Sequence, residues 1–195
     1  DMSDENELQD QVRVQIRNKA AKYVVDTVYK AIKNATGVKY FFEGSGLTKT
    51  GVDGVISKVR RFGKPTVSGD YALISQFNGI SEAVMNEIHN TGLMGVYNGT
   101  TLSEIPNAYD MTTLTADETN FETMLPAGLG FVMPTGGQSP IYTVTRGGLT
   151  SISGNDITTG QLISRFDLEV GCLVVPGQEY RVGMVHDTNL DSLAD

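Results

Sequence analysis

VKYFFEGSGLTKTGVDGVISKVRRFG, residues 38–63, decides between two fold classes. The short apolar run over 38–43 predicts a strand, 44–50 predicts a loop, and 51–62 predicts a helix with an apolar stripe. A strand, a glycine-containing loop and a helix in this order build the phosphate-binding loop of parallel-sheet nucleotide enzymes. The same order is also expected of a glycine-rich connector between two subdomains.

The residues of the loop argue against phosphate binding. The pattern G-x-x-x-x-G-K-[ST], aligned on Lys49 and Thr50, requires glycine at positions 43 and 48. The chain has Glu43 and Thr48 there, and a carboxylate at position 43 would repel phosphate oxygens. We therefore interpret Gly44–Gly51 as a flexible connector. A nucleotide-binding enzyme that uses the Lys49-Thr50 loop stays open as an alternative.

Composition limits the classes of protein that this chain can belong to. Its 195 residues are enough for one well-buried domain, or for a core with a smaller subdomain. Fifteen basic and 23 acidic residues give a net charge of −8, which argues against broad coating of nucleic acid. No apolar run approaches the ~20 residues that cross a bilayer. The first residue is Asp and not Met, so we expect part of the natural N-terminus to precede it.

Hydrophobic spacing predicts one long helix over residues 4–34. Its apolar residues recur at every fourth position, which makes a row that winds slowly around the helix axis. That row is Leu8, Val12, Ile16, Ala20, Val24, Val28 and Ile32. The side that contacts the rest of the protein should therefore change along the helix.

The remaining elements indicate an α+β fold and not strict strand–helix alternation. After a short strand at 66–67, we predict helices over 70–77 and 80–91, the second burying Val84, Met85 and Ile88. Asn98-Gly99 between two β-prone runs predicts a hairpin. Residues 107–127 are expected to be an irregular surface loop, 128–134 a strand, and the chain from Pro140 mainly strands. In the last region Phe166, Leu168, Val170, Cys172 and Val174 should share one side of a strand.

Candidate reactive residues have a structural interpretation in each case. Cys172 is expected to be a small core residue, because no basic neighbour in sequence would lower its pKa. His89 and His186 are the two histidines. His186 precedes Asp187, but the chain lacks the G-x-S-x-G nucleophile elbow of a hydrolase. We predict no enzyme activity, no catalytic, cofactor-binding or metal-binding residues, and no cofactor.

Charged clusters are likewise interpreted as surface features. The acids Asp110, Asp117, Glu118 and Glu122 match no calcium-loop spacing and predict a solvated acidic loop. The bases Lys58, Arg60, Arg61 and Lys64 complement the dipole at a helix end. This basic cluster could contact DNA weakly or pair with acids of a neighbouring subunit.

NEIHNTGLMGVYNGTTLSEIPNAYD, residues 86–110, resembles the major capsid proteins of tailed bacteriophages. The resemblance consists of Glu87-Ile88, Thr91-Gly92, the G-x-Y-x-G-like run at 95–99 and Ile105-Pro106-Asn107, in that order. GKPTVSGDYALISQF upstream is similar to the axial-domain strand and helix of that family. ISRFDLEVGCLVVPGQEYRVGMVHD is similar to its closing peripheral-domain strands, and the first helix to its spine helix.

The resemblance implies a fold and a function. The peripheral domain would be residues 1–45 and 140–195, and the axial domain 46–139, with the loop at 107–127 near a capsomer axis. The protein would be a structural subunit that assembles with copies of itself into pentamers and hexamers of an icosahedral phage or prophage head around double-stranded DNA. An encapsulin-type cellular shell is the alternative with the same fold.

Partners and location follow from the same resemblance. Scaffold, portal and decoration proteins are expected partners, packaged DNA would be contacted weakly, and no membrane would be involved. The location would be the virion capsid, assembled in the host cytoplasm. Family members have an N-terminal arm and an extended loop before the spine helix. Because this chain starts at that helix, we expect it to be a processed or partial product.

Overall fold

The computed structural model describes residues 2–80, 84–88, 92–115, 118–155, 158 and 162–190, and it is a mixed α+β fold. The α-helices are α1 (Met2–Lys33), α2 (Lys49–Val59) and α3 (Tyr71–Ile80), with short 3-10 turns at Arg60–Phe62 and Glu179–Arg181. The strands are β1 (Tyr40–Gly44), β2 (Lys64–Gly69), β3 (Val84–Ile88), β4 (Gly92–Tyr97), β5 (Thr100–Glu104), β6 (Tyr109–Leu114), β7 (Phe121–Thr123), β8 (Leu129–Thr135), β9 (Ile141–Asn155), β10 (Leu162–Val174) and β11 (Gly183–Asp187).

A seven-stranded sheet with the order β1-β11-β8-β2-β5-β4-β3 forms the centre of the described structure. β1 pairs with β11, and β2 with β5, in parallel, while the other neighbours are antiparallel. β6 with β7, and β9 with β10, form two separate two-stranded ribbons. The mixed sheet is that of an α+β fold, as the sequence predicts.

Helices cover both faces of this sheet. On β11, Val185 belongs to the core cluster that includes α2 and α3, whereas Met184 belongs to the cluster that includes α1. Because neighbouring residues of a strand point to opposite faces, α2 and α3 must lie on one side and α1 on the other. The predicted apolar stripe of α2 is confirmed, since Val52, Val55, Ile56 and Val59 are all buried.

Close approach of α2 to the sheet depends on Gly183. A Cβ at this position would lie 2.5 Å from Val55 Cγ1 and 2.8 Å from Val59 Cγ2. Such distances are shorter than any ordinary van der Waals contact. The absent side chain at Gly183 therefore sets how near the helix can lie to β11.

The predicted long helix is confirmed as α1, which has 32 residues. Val28, Tyr29 and Ile32 near its C-terminal end are buried, whereas Leu8 and Val14 are exposed. α1 also runs along the β9–β10 ribbon, where the Arg13 guanidinium lies 5.7 Å from the centre of the Phe166 ring. The contacts of α1 thus change along its length, from the ribbon to the sheet.

The predicted hairpin at Asn98-Gly99 is confirmed. Tyr97 pairs with Thr100 across the turn, and both central residues have positive φ, 47° and 74°. These values fit a type I′ turn, which matches the twist of the flanking strands. The strands expected at 38–43, 66–67 and 128–134 are also found, with shifted ends.

The prediction of a second helix over 80–91 is wrong. α3 is one helix that continues through Asn78-Gly79 to Ile80, and Val84–Ile88 is strand β3, paired antiparallel with β4. Pairing with β4 gives this segment backbone hydrogen bonds that its local sequence does not reveal. The burial predicted for Val84, Met85 and Ile88 concerns side chains outside the described residues.

The prediction of an irregular loop over 107–127 is wrong in part. The region contains the β6–β7 ribbon, whose ladder is irregular between Asp110 and Leu114. Its surface position is confirmed, because most side chains of β6 are exposed. The division into domains 1–45 with 140–195 and 46–139 remains a prediction, and the sheet joins strands from both segments.

Candidate functional site

The Gly44–Gly51 loop is tied to the end of β11. The Gly46 N–H donates to Asp187 Oδ1 at 2.8 Å, and the Ser45 hydroxyl donates to Asn189 Oδ1 at 2.8 Å. Thr48 caps α2, because its Oγ1 accepts from the Gly51 N–H at 3.3 Å. The loop is therefore a hydrogen-bonded connection and not the flexible connector that the sequence predicts.

This arrangement leaves little for a nucleotide phosphate to bind. Asp187 is fully buried, and its carboxylate already accepts from the Gly46 N–H, which a phosphate would need. A buried carboxylate beside the loop would also repel the phosphate oxygens. The geometry thus agrees with the missing glycines at positions 43 and 48.

A polar cluster lies where the end of α1 meets the first and last strands. His186 on β11 is only 2% exposed, and its Nδ1 lies 2.9 Å from Glu43 Oε2 on β1. The Tyr29 hydroxyl of α1 donates to the same carboxylate oxygen at 3.0 Å. Lys33 Nζ donates to the Tyr29 hydroxyl at 3.1 Å and lies 3.5 Å from Glu43 Oε2. Three elements are joined through one carboxylate.

The charges of this cluster stabilise one another. The hydrogen bond from His186 is the largest influence that holds the pKa of Glu43 below its usual value of 4.5. The hydrogen bond to Tyr29 raises the pKa of Lys33 to about 12, while burial raises the pKa of Tyr29. These shifts favour the ionised form of Glu43 and the protonated form of Lys33. The cluster fixes α1 against the sheet.

His186 is not paired with Asp187, the residue that follows it in the sequence. Its carboxylate partner is Glu43, whereas the neighbouring Asp187 accepts from the backbone of the loop and of Asn189. A hydrolase arrangement of His186 with Asp187 is thus not formed. His89 and Asp117 lie outside the described residues.

The other predicted positions have structural roles. Cys172 is half-buried against the α1 cluster, and burial raises the pKa of its thiol, which makes it less reactive. Asp110 accepts hydrogen bonds from the backbone and side chain of Thr112. Glu118 and Glu122 belong to the same surface region, so the predicted acidic loop is an acidic ribbon.

Two members of the basic cluster are used inside the fold. Arg60 donates to the Asn98 carbonyl at 2.7 Å and to Thr100 Oγ1 at 3.0 Å, which holds α2 against the β4–β5 hairpin. Lys58 Nζ lies 5.4 Å from the centre of the Tyr40 ring. All four residues are exposed, so contact of this cluster with DNA or another subunit stays a prediction.

Sequence reasoning missed the polar partner of the largest buried side chain. Tyr97 is fully buried, and its hydroxyl donates to Asp53 Oδ1 at 3.0 Å. Asn98 Nδ2 donates to the same oxygen at 3.3 Å. Among the described residues, no group of three or more His, Cys, Asp or Glu could hold a metal ion. No helix in those residues is long and apolar enough to span a membrane.

In the described part of the chain, the polar groups named above fasten elements of the fold to one another. A family model described as SPbeta prophage-derived putative capsid protein YonB matches residues 2–186. This match spans nearly the whole sequence, and the chain belongs to that family. A search of curated proteins finds no match. The resemblance to phage capsid proteins is thus confirmed at the level of a structural phage protein related to capsids.

Proposed function

We propose that the chain is the major capsid subunit of a tailed phage or prophage head. It would assemble into pentamers and hexamers of an icosahedral shell that encloses double-stranded DNA. Membership of a prophage capsid family supports the class of protein. The observation that supports its role as a shell subunit is the partial burial of α1.

α1 is longer than the core that it covers. At ~1.5 Å per residue, its 32 residues extend about 48 Å. Its buried residues Val28, Tyr29 and Ile32 all lie near the C-terminal end, while Leu8, Val14 and Tyr23 are exposed apolar side chains. Single exposed apolar side chains are ordinary on a protein surface, so the proposal rests on the length of α1 beyond its buried end, which offers a surface to neighbouring subunits.

The elements of the fold can be assigned to the expected shell fold as follows. α1 would be the spine helix and, with the β9–β10 ribbon, would form most of the peripheral domain (1–45 and 140–195). Segment 46–139, which contains α2, α3 and the β4–β5 hairpin, would be the axial domain. The β6–β7 ribbon exposes Tyr109, Met111 and Leu114, and we place it near a capsomer axis.

Partners would be other copies of the chain, with scaffold, portal and decoration proteins. A net charge of −8 suits a wall that holds DNA loosely, because strong phosphate contacts would hinder packaging and release. The virion capsid would be the location, after assembly in the bacterial host cytoplasm.

An encapsulin-type shell would share the fold, and only its contents would differ. Particles that contain DNA and a portal at one vertex would favour a phage head, whereas particles filled with a cellular enzyme would favour an encapsulin. For the nucleotide-binding alternative, ATP with magnesium should leave the unfolding temperature unchanged. A rise in that temperature would reopen it.

Self-assembly of the purified full-length protein tests the proposal. We expect electron microscopy to reveal polyhedral particles or flat rings of five or six subunits, and light scattering to give a matching mass. A monomer or dimer under every assembly condition tried, with scaffold protein present, would contradict it.

A further inference from the structure

We propose that one face of the β9–β10 ribbon docks against a second copy of this chain. This outward face comprises the paired positions Tyr142 with Leu173, Val144 with Gly171, Arg146 with Glu169, Thr150 with Asp167, Ile152 with Arg165 and Gly154 with Ile163. The inference rests on the proposed self-assembly and names a surface that takes part in it.

Strand alternation separates this face from the one that α1 covers. Phe166 and Cys172 of β10 point toward α1, where Arg13 lies over the Phe166 ring and Cys172 joins the core cluster. Successive side chains of a strand point to opposite faces, so the odd-numbered residues from Ile163 to Leu173 point away from α1. Their cross-strand partners on β9 share that outward face.

The outward face exposes five large apolar side chains. Tyr142, Val144, Ile152, Ile163 and Leu173 are each between 53% and 68% exposed. They form two groups, Tyr142, Val144 and Leu173 at one end of the ribbon and Ile152 with Ile163 toward the other, with charged positions between them.

The charges on this face favour a second copy over DNA. Arg146 lies 3.7 Å from Glu169, and Arg165 Nε lies 2.9 Å from Asp167. These four charges cancel in pairs, so the face has no net charge although the chain has −8. Two copies can approach here without the repulsion that their total charge imposes elsewhere, whereas DNA would require surplus positive charge.

The ribbon also needs support beyond its own strands. β9 and β10 have 15 and 13 residues, and within the described residues each pairs only with the other. A two-stranded ribbon is marginally stable in water unless another element covers it. α1 gives the ribbon this support on one face, so the opposite face stays uncovered in the monomer and is available to the second copy.

Two matched substitutions in the full-length protein test the inference. Val144→Glu places a charge on the outward face, and Val38→Glu places the same charge at a valine that is equally exposed but lies between α1 and β1. We expect Val144→Glu to raise the concentration needed for assembly about tenfold or more, as loss of an interface anchor does. Val38→Glu should assemble as the wild type does.

Each outcome has a defined meaning. Equal assembly of both variants and wild type, or equal loss in both variants, would overturn the inference while leaving the proposed function intact. Failure of the wild type to assemble would instead overturn the proposed function. Circular dichroism and the unfolding temperature of unassembled protein check folding, and neither variant should change them, because both valines are exposed. Hydrogen exchange should slow at 142–144 and 171–173 when wild type assembles, and unchanged exchange there would also contradict the inference.

Discussion

Removing the Tyr97 side chain should destabilise the fold more than removing any exposed tyrosine. Tyr97 is fully buried, with its ring 5.3 Å from the Phe77 ring in an edge-to-face arrangement. Its hydroxyl donates to Asp53 Oδ1 at 3.0 Å. Tyr97→Ala would therefore leave a cavity between α2, α3 and the sheet, and would also remove a hydrogen bond.

The expected cost comes from two separable contributions. Truncating a buried aromatic ring to alanine costs about 4 kcal/mol, with the loss of the Phe77 contact included. Tyr97→Phe keeps the ring and loses the hydrogen bond to a carboxylate, at a cost of about 1.5 kcal/mol. Asp53 still accepts from Asn98 in that variant, which keeps the cost at the lower end.

Urea unfolding followed by circular dichroism measures both values on unassembled protein. Tyr71→Ala is the matched control, because Tyr71 is 59% exposed and its truncation should cost under about 0.5 kcal/mol. A loss of less than about 1 kcal/mol for Tyr97→Ala would refute the assignment of Tyr97 to the core. Equal losses for Tyr97→Phe and Tyr97→Ala would refute the division between ring and hydroxyl.

Further predictions concern charge and packing. Because the pKa of Glu43 is held below 4.5, its stabilising contribution is present above that pH and lost as the pH falls, so Glu43→Gln should flatten the decline of the unfolding free energy in acid. Because burial raises the pKa of Tyr97 from 10.0 to about 12, the fold should lose stability as the pH rises through that interval, and Tyr97→Phe should remove this loss. Gly183→Ala should cost about 1–3 kcal/mol by pressing on Val55, measured as a fall in the urea midpoint.

Controls for these predictions are available in the same chain. Gly54→Ala lies in α2 with open space around its Cβ position, and it should stabilise the helix by about 0.5–1 kcal/mol. A similar gain for Gly183→Ala would disprove the close contact. For the acid prediction, a decline of the unfolding free energy in acid that Glu43→Gln leaves unchanged would count against the cluster.

Elements with a strong local signal could be predicted from the sequence. The Asn98-Gly99 turn requires positive φ at both positions, and few residue pairs adopt that conformation so readily. The apolar stripe of α2 and the apolar row of α1 could likewise be predicted, because each depends only on the residues of its own helix. Residues 84–88 have an apolar spacing that suits a helix. They form a strand instead, because they pair with β4.

Contacts between distant residues could not be predicted. Glu43 and His186 are 143 positions apart, and they meet only because β1 and β11 pair in parallel. Asp187 likewise binds the loop at Gly46 from 141 positions away. No pattern in a single sequence specifies such pairings, so the polar cluster and the tied loop had to come from the structure.

The abundance of the chain in particles of the phage or prophage that encodes it tests its assignment as major capsid subunit. Quantitative mass spectrometry of purified particles would give its copy number relative to every other particle protein. If the chain is the major capsid subunit, it should be the most abundant protein of the shell. A few copies per particle, or its absence from particles that contain DNA, would contradict the assignment as major capsid subunit.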